Sequence, residues 1–123
     1  MPKKYVNPSQ RTSDQLFELS KKAFTESGLV LGKDFKIYKT SLRSESGYLT
    51  TLEAGFAGSA NKKKLVLVHG AFGNITNWIK IVPLLIKDYH VFAFDLYGHG
   101  SSYHNDYVTE ETYRYNYSLG KIF

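Results

Sequence analysis

The chain has 123 residues, of which 42% are hydrophobic and 15% aromatic, so it is long and apolar enough to bury a core. It contains no cysteine, which excludes disulfides, thiolate metal sites and cysteine nucleophiles. The formal net charge of +5 arises in residues 1–64, with twelve Lys and Arg against six Asp and Glu; these charges are scattered, so we expect no nucleic-acid partner.

The amino terminus gives an expectation about location. Residues 1–5 lack the apolar segment of a secretory signal, and no apolar run approaches the ~20 residues that cross a bilayer. We therefore expect a soluble, cytoplasmic protein without a membrane span.

The first predicted elements are a flexible arm over residues 1–12, which has two prolines and no periodicity, and a helix over residues 13–28. Ser13 has the hydroxyl typical of a helix N-cap, and Gly28 is a typical stop. The apolar face of this helix is formed by Leu16, Leu19, Ala23 and Phe24. Because no ionisable residue lies on that face, we expect the helix to cover a sheet edge or a partner rather than to form a site.

A β-hairpin is predicted over residues 35–54. Apolar and polar residues mix along residues 35–42, Ser44-Glu45-Ser46-Gly47 favours a turn, and residues 48–54 form a second extended run. A polar connection of small and charged residues follows.

Residues 64–102 predict a β-α-β unit. The run Leu65-Val66-Leu67-Val68 is uninterrupted, which is typical of a strand buried on both faces of a parallel sheet. Residues 90–95 predict the next strand. The helix between them has an apolar stripe, with Thr76 or Asn77 as its cap, and Pro83 should kink or shorten it because proline lacks a backbone donor. That stripe is formed by Trp78, Ile81, Val82 and Leu85.

Each of these two strands ends in a glycine-rich turn. The first reads His69-Gly70-Ala71-Phe72-Gly73, and the second reads Asp95-Leu96-Tyr97-Gly98-His99-Gly100-Ser101-Ser102. In open α/β sheets, ligands bind outside the carboxyl ends of the strands. A site is therefore expected where these two turns meet.

The two turns and their spacing resemble the amino-terminal portion of the α/β-hydrolase superfamily, whose fourth strand runs into a D-x-x-G-x-G-x-S turn. The resemblance covers roughly residues 35–102. It implies the α/β class and a partial α/β-hydrolase fold, with an amino-terminal β-hairpin followed by a β-α-β unit of a mostly parallel sheet. Residues 13–123 would then form one incomplete domain, in which residues 103–123 begin the next helix.

The resemblance also implies roles for the first turn. Members of the family place a backbone amide just after the His-Gly pair, where it meets the negative charge that acyl transfer builds on a carbonyl oxygen. That amide corresponds to Ala71, with Phe72 beside it and Gly70 before it. His69 is expected to order the loop by hydrogen bonding rather than to move protons.

The second turn is expected to be structural. Asp95 should cap turn amides through its side chain, because the resemblance places the acid of the triad later in the chain. Gly98 and Gly100 permit positive φ, and His99 and Ser101 complete the turn. The four histidines lack the spacing of a metal site, so we expect neither a metal nor a cofactor.

The nucleophile has no clear counterpart. The string closest to G-x-S-x-G is Asn116-Tyr117-Ser118-Leu119-Gly120, in which Asn116 replaces the first glycine. Ser118 is the candidate nucleophile, but we expect it to cap the second helix. The expected function is therefore the amino-terminal part of a serine hydrolase for ester or related acyl or carbon–heteroatom bonds, inactive alone because nucleophile, acid and base are missing.

Two other functions stay open, namely a non-catalytic α/β-hydrolase-like binding module and a small esterase that uses Ser118. If a carboxy-terminal half completes the site, the expected partner is a small-molecule, ester-like substrate. Without that half, the strand at residues 65–68 would have an unpaired edge, and self-association through this edge is expected.

Overall fold

A sheet built from the hairpin and two further strands organises the residues that the computed structural model describes, which are 8–41 and 47–104. Its helices and strands are α1 (Pro8–Glu26), β1 (Phe35–Ser41), β2 (Gly47–Ala54), β3 (Lys63–Val68), α2 (Val82–Leu85), β4 (Tyr89–Phe94) and β5 (Tyr103–His104). Two short 3₁₀ helices, Ser59–Asn61 and Ile75–Trp78, lie in the connections. Within the described part of the chain, no helix is both long and apolar enough to span a membrane.

Helix α1 begins earlier than the sequence predicts. Its first residue is Pro8, so residues 8–12 are helical and do not belong to the predicted arm, while residues 1–7 lie outside the described part. Proline is favoured in the first helical turn, where a backbone donor would have no partner. Ser13 is consequently a buried residue inside the helix rather than its N-cap. The helix ends at Glu26, and Gly28 follows with a φ of 101°.

The hairpin has its predicted bounds. Strands β1 and β2 pair antiparallel, with a register that runs from Phe35 opposite Ala54 to Ser41 opposite Tyr48. The predicted turn lies outside the described residues except for Gly47.

The sheet has the strand order β1-β2-β4-β3, and β5 adds a short pairing to β2. Strands β3 and β4 are parallel, in register from Lys63 opposite Tyr89 to Val68 opposite Phe94. The α/β class and the β-α-β unit are therefore confirmed. The sheet is mixed rather than mostly parallel, however, because β2 pairs antiparallel with both β1 and β4. Tyr103 and His104 form strand β5 and do not begin a helix; residues 105–123 lie outside the described part.

One face of the sheet carries the core. Leu52 of β2 and Val91 and Ala93 of β4 are fully buried there against Phe24 of α1 and Val82 of α2. On the other face, the side chains of Val66 and Val68 are 53% and 49% exposed. The prediction that β3 is buried on both faces is wrong for this structure, because the described helices cover one face only. Among the described strands, β3 pairs with β4 alone.

The helical segments between β3 and β4 are shorter than the sequence predicts. Instead of one helix, the connection contains the 3₁₀ helix Ile75–Trp78 and then α2, which has Pro83 in its first turn. The side chain of Asn74 accepts a hydrogen bond from the Thr76 amide at 2.9 Å, so Asn74 is the cap rather than Thr76 or Asn77. Proline is compatible with this position, because a backbone N–H in the first turn of a helix has no intrahelical acceptor and its loss removes no hydrogen bond.

A partly buried ion cluster lies on the more open face of the sheet. Glu53 of β2 is 2.7 Å from Nε2 of His90, accepts a hydrogen bond from the Tyr38 hydroxyl at 3.0 Å, and lies 3.6 Å from the Lys36 ammonium. Burial disfavours the charged carboxylate, but the hydrogen bonds from His90 and Tyr38 and the charges of Lys36 and His90 outweigh it and lower the pKa of Glu53.

This lowered pKa makes the stability depend on pH. The ionised form of Glu53 is favoured in the folded state, so its contribution is present above the ordinary pKa of 4.5 and is lost as the pH falls through the lower folded value. We expect Glu53→Gln to lower the free energy of unfolding by about 1–2 kcal/mol at neutral pH, because hydrogen bonds to a charged acceptor are lost.

Urea unfolding of both proteins over a pH series measures this effect, and the difference should shrink below pH 4.5. Glu18→Gln is the control, because Glu18 is exposed on α1. A difference that stays constant across the series would contradict the assigned role of the Glu53 charge.

Candidate functional site

The two glycine turns meet at the carboxyl ends of β3 and β4, and His69 joins them. Its Nε2 accepts a hydrogen bond from the Leu96 amide at 2.9 Å, and its Nδ1 lies 2.7 Å from the Gly70 carbonyl. Because an amide can only donate, Nε2 is the acceptor and Nδ1 carries the proton that is donated to Gly70. Both ring nitrogens are therefore engaged, and the buried imidazole fixes one turn against the other.

The first turn spans Gly70 to Gly73. The Gly73 amide donates to the Gly70 carbonyl at 3.0 Å, and Phe72 has a φ of 64° at the third position, as in a type II turn. No acceptor among the described residues hydrogen-bonds the amides of Ala71 and Phe72. Two unpaired donors thus lie at adjacent positions in a turn whose conformation is closed by its own hydrogen bond.

Asp95 connects the second turn to the segment that follows the first. One carboxylate oxygen accepts from the Ile75 amide at 2.7 Å, and the other accepts from the Ser101 amide at 2.8 Å. The side chain is fully buried. An acceptor-only group suits this place, because each of the backbone donors around it would otherwise be buried without a partner.

The serines of the second turn are bound to strand β2. The Ser101 hydroxyl donates to Oγ1 of Thr50 at 2.7 Å and lies 3.1 Å from the Asp95 carboxylate. The Ser102 hydroxyl donates to the Asp95 carbonyl and accepts from the Thr50 amide at 2.9 Å. These contacts hold the turn on the sheet and leave neither hydroxyl directed at an imidazole.

The arrangement of Ser101, His69 and Asp95 is therefore not a catalytic relay. A nucleophilic serine needs its hydroxyl hydrogen-bonded to a base whose other nitrogen is held by an acid. Here the serine donates to Thr50, and the two nitrogens of His69 face backbone groups. These three residues fix the positions of the turns.

A groove of about 1020 Å³ opens beside both turns, with α1 as its other wall. Phe72 and Gly73 of the first turn and Gly98 to Gly100 of the second turn line it. The imidazole of His99 donates from Nδ1 to the Tyr97 carbonyl at 2.9 Å, and its ring centroid lies 5.1 Å from that of His69. Helix α1 was not expected to border a site, because its apolar face carries no ionisable group.

The structure thus brings together most of the residues singled out in the sequence. His69 is hydrogen-bonded to the second turn, and Phe72 lines the groove together with Gly98, His99 and Gly100 of that turn. Gly70 and Ala71 lie between His69 and Phe72, and Asp95 and Ser101 are hydrogen-bonded to each other within the second turn. Ser118 lies outside the described residues. Sequence reasoning missed the contribution of Thr50, and no local signal could have found it, because Thr50 and Ser101 are 51 residues apart.

Within residues 8–41 and 47–104, no three His, Asp or Glu side chains lie close enough together to hold a metal ion. The groups that this site offers to a ligand are backbone N–H donors, the fixed imidazole of His69 and the adjoining groove.

Comparison with known proteins agrees with the α/β class of the fold. Residues 63–119 match the family described as the alpha/beta hydrolase fold. A Drosophila melanogaster protein named "Probable serine hydrolase" is 37% identical over 54 residues, which are 44% of this chain and 16% of that protein. The chain therefore spans a small part of this relative's length.

Solved structures show the same fold. The Cif epoxide hydrolase from Acinetobacter nosocomialis matches with a TM-score of 0.50 and 23% identity, over 91% of this chain and 34% of its own. A membrane phospholipase A, a bacterial virulence factor, matches with a TM-score of 0.53 and 24% identity, over 74% of this chain and 26% of its own.

Proposed function

We propose that this chain, a member of the α/β-hydrolase superfamily that carries the amino-terminal part of its fold, supplies the oxyanion-binding loop of a serine hydrolase. The reaction class is hydrolysis of an ester or a related acyl or carbon–heteroatom bond. The observation that carries the proposal is the pair of unpaired amides at Ala71 and Phe72, in a turn closed by its own hydrogen bond.

Backbone donors of this kind suit acyl transfer for a physical reason. Attack on an ester places negative charge on the carbonyl oxygen, and donors that are already oriented stabilise that charge without reorganising during the reaction. The turn at Gly70–Gly73 is held by His69 on one side and, through Ile75, by Asp95 on the other. Its amides would therefore keep their direction as the charge develops.

The nucleophile, acid and base belong, in this proposal, to a part of the fold beyond the second turn. The serines and the histidine nearest the loop are used in structural hydrogen bonds. Among the described strands β3 pairs with β4 alone, and its other edge is where a further strand of that part would pair. The 123-residue polypeptide by itself should then hydrolyse p-nitrophenyl butyrate no faster than buffer, because the members of a triad act as a unit. Hydrolysis abolished by Ser118→Ala would instead favour the small esterase.

The loop itself can be tested without catalysis, by titrating the protein with methylphosphonate, an anion that resembles the tetrahedral oxyanion. The amide resonances of Ala71 and Phe72 should shift. Ala71→Pro removes one donor yet suits the second position of a type II turn, so we expect about tenfold weaker binding. Phe72→Gly keeps both amides and should bind as the parent does. A shift pattern that spares both amides, or equal affinity in Ala71→Pro, would refute the oxyanion role.

A further inference from the structure

We propose that the groove between α1 and the two glycine turns binds the aliphatic acyl chain of the substrate, so that α1 is the wall of an acyl subsite. This inference rests on the proposed function and specifies its substrate class. Helix α1 precedes the hairpin, and the roles proposed above for the turn residues do not involve it.

The position of α1 is the first support. Leu16, Leu19 and Ala23 line the groove from the helix, and Ile79 and Tyr97 line it from the turns and the segment after them. The side chain of Leu19 is 57% exposed and borders both the groove and a second hollow beside Glu18 and Lys22, whereas Phe24 on the same helix is fully buried in the core. The helix thus packs by one part of its apolar face and presents the other part to the groove.

The composition of the lining is the second support. Thirteen of the described residues line the groove, and none of these thirteen is Lys, Arg, Asp or Glu, although these types make up 22% of the chain. An uncharged lining of this volume suits an apolar ligand, since ligand pockets of about 300–1,000 Å³ are lined mainly by apolar groups with a few polar ones.

The backbone at Phe72 is the third support. A non-glycine residue with positive φ is strained, and Phe72 adopts a φ of 64° while its side chain is 100% exposed. Such strain persists where the surrounding structure imposes it and is concentrated at ligand sites. Here it places a large apolar ring at the mouth of the groove, where an acyl chain would cover it.

The polarity of the groove fixes the orientation of the ligand. Phe72, Gly73, Asn74 and Thr76 line the groove on the side of the turn that carries the unpaired amides, whereas the α1 wall consists of three apolar residues and one serine, namely Leu16, Leu19, Ala23 and Ser20. An ester whose carbonyl oxygen lies on those amides would extend its hydrocarbon chain past Phe72 toward Leu19. The ligand class is accordingly a neutral ester with a linear aliphatic acyl chain.

The test uses alkylphosphonates of increasing chain length, which share one head group and differ only in the tail. We expect octylphosphonate to bind at least tenfold more tightly than butylphosphonate, since each fully buried methylene contributes about fourfold. In Leu19→Gln this dependence on chain length should largely disappear, while methylphosphonate still shifts the Ala71 and Phe72 amides. Leu84→Gln is the matched control, because Leu84 is 77% exposed on α2 and does not line the groove.

Two outcomes would overturn the subsite. One is equal affinity for butylphosphonate and octylphosphonate, or a chain-length dependence that Leu19→Gln leaves intact. The other is a concentration-dependent dimer, seen by sedimentation, that Leu19→Gln abolishes, since a second copy of the chain would then occupy the groove. Failure of the oxyanion role gives a different result, in which methylphosphonate leaves both amides unshifted whatever the tail does.

Discussion

Replacing Asp95 by Asn is expected to lower the free energy of unfolding by about 3 kcal/mol. The carboxylate is fully buried and accepts from the amides of Ile75 and Ser101 through different oxygens, with the Ser101 hydroxyl 3.1 Å away. An amide side chain of the same shape would turn an N–H group toward one of these donors. One buried backbone donor is then unsatisfied and also faces another donor.

Urea unfolding followed by circular dichroism measures this loss. Asp88→Asn is the matched control, because Asp88 is exposed next to α2 and should change the stability by less than about 0.5 kcal/mol. In the amide spectrum of Asp95→Asn, the resonances of Ile75 and Ser101 should move most. If Asp95→Asn were as stable as the control, the two turns would not depend on this carboxylate.

The parts of the fold with local sequence signals were predictable. The run Leu65–Val68 and the strand predicted at residues 90–95 lie within two residues of β3 and β4, and the hairpin has its predicted bounds. Alternation, apolar runs and glycine turns are properties of neighbouring residues, so the sequence carries them directly. Parallel strands end at the same edge of a sheet, so the β-α-β pattern also predicted that the two turns would meet.

The remaining features depend on partners that are distant in the sequence. The exposure of Val66 depends on which elements cover the second face of the sheet, and strand composition alone does not specify that. The apolar face of α1 predicts that the helix is buried, but not that part of it borders the turn at Phe72. The cap at Asn74 was missed for a different reason, since Thr76 and Asn77 are also residue types favoured at that position.

Replacing Gly100 by Ala is expected to be about as destabilising as Asp95→Asn, by about 3 kcal/mol, for two additive reasons. Gly100 has a φ of 53°, a conformation that costs an alanine roughly 1–2 kcal/mol. A Cβ atom at this position would also overlap the Asp95 carboxylate, which must then move away from the Ser101 amide. The substitution should therefore loosen the second turn as well as strain it.

Gly58→Ala separates the two contributions. Gly58 has a φ of 69°, but a Cβ atom there would have nothing within 4 Å, so this variant shows the conformational cost alone. Urea unfolding should place Gly100→Ala about 2 kcal/mol below Gly58→Ala. Because the extra loss acts through Asp95, the double variant with Asp95→Asn should lose less than the sum of the two single losses. Equal losses in the two glycine variants, or full additivity in the double variant, would show that Gly100 does not act through the carboxylate.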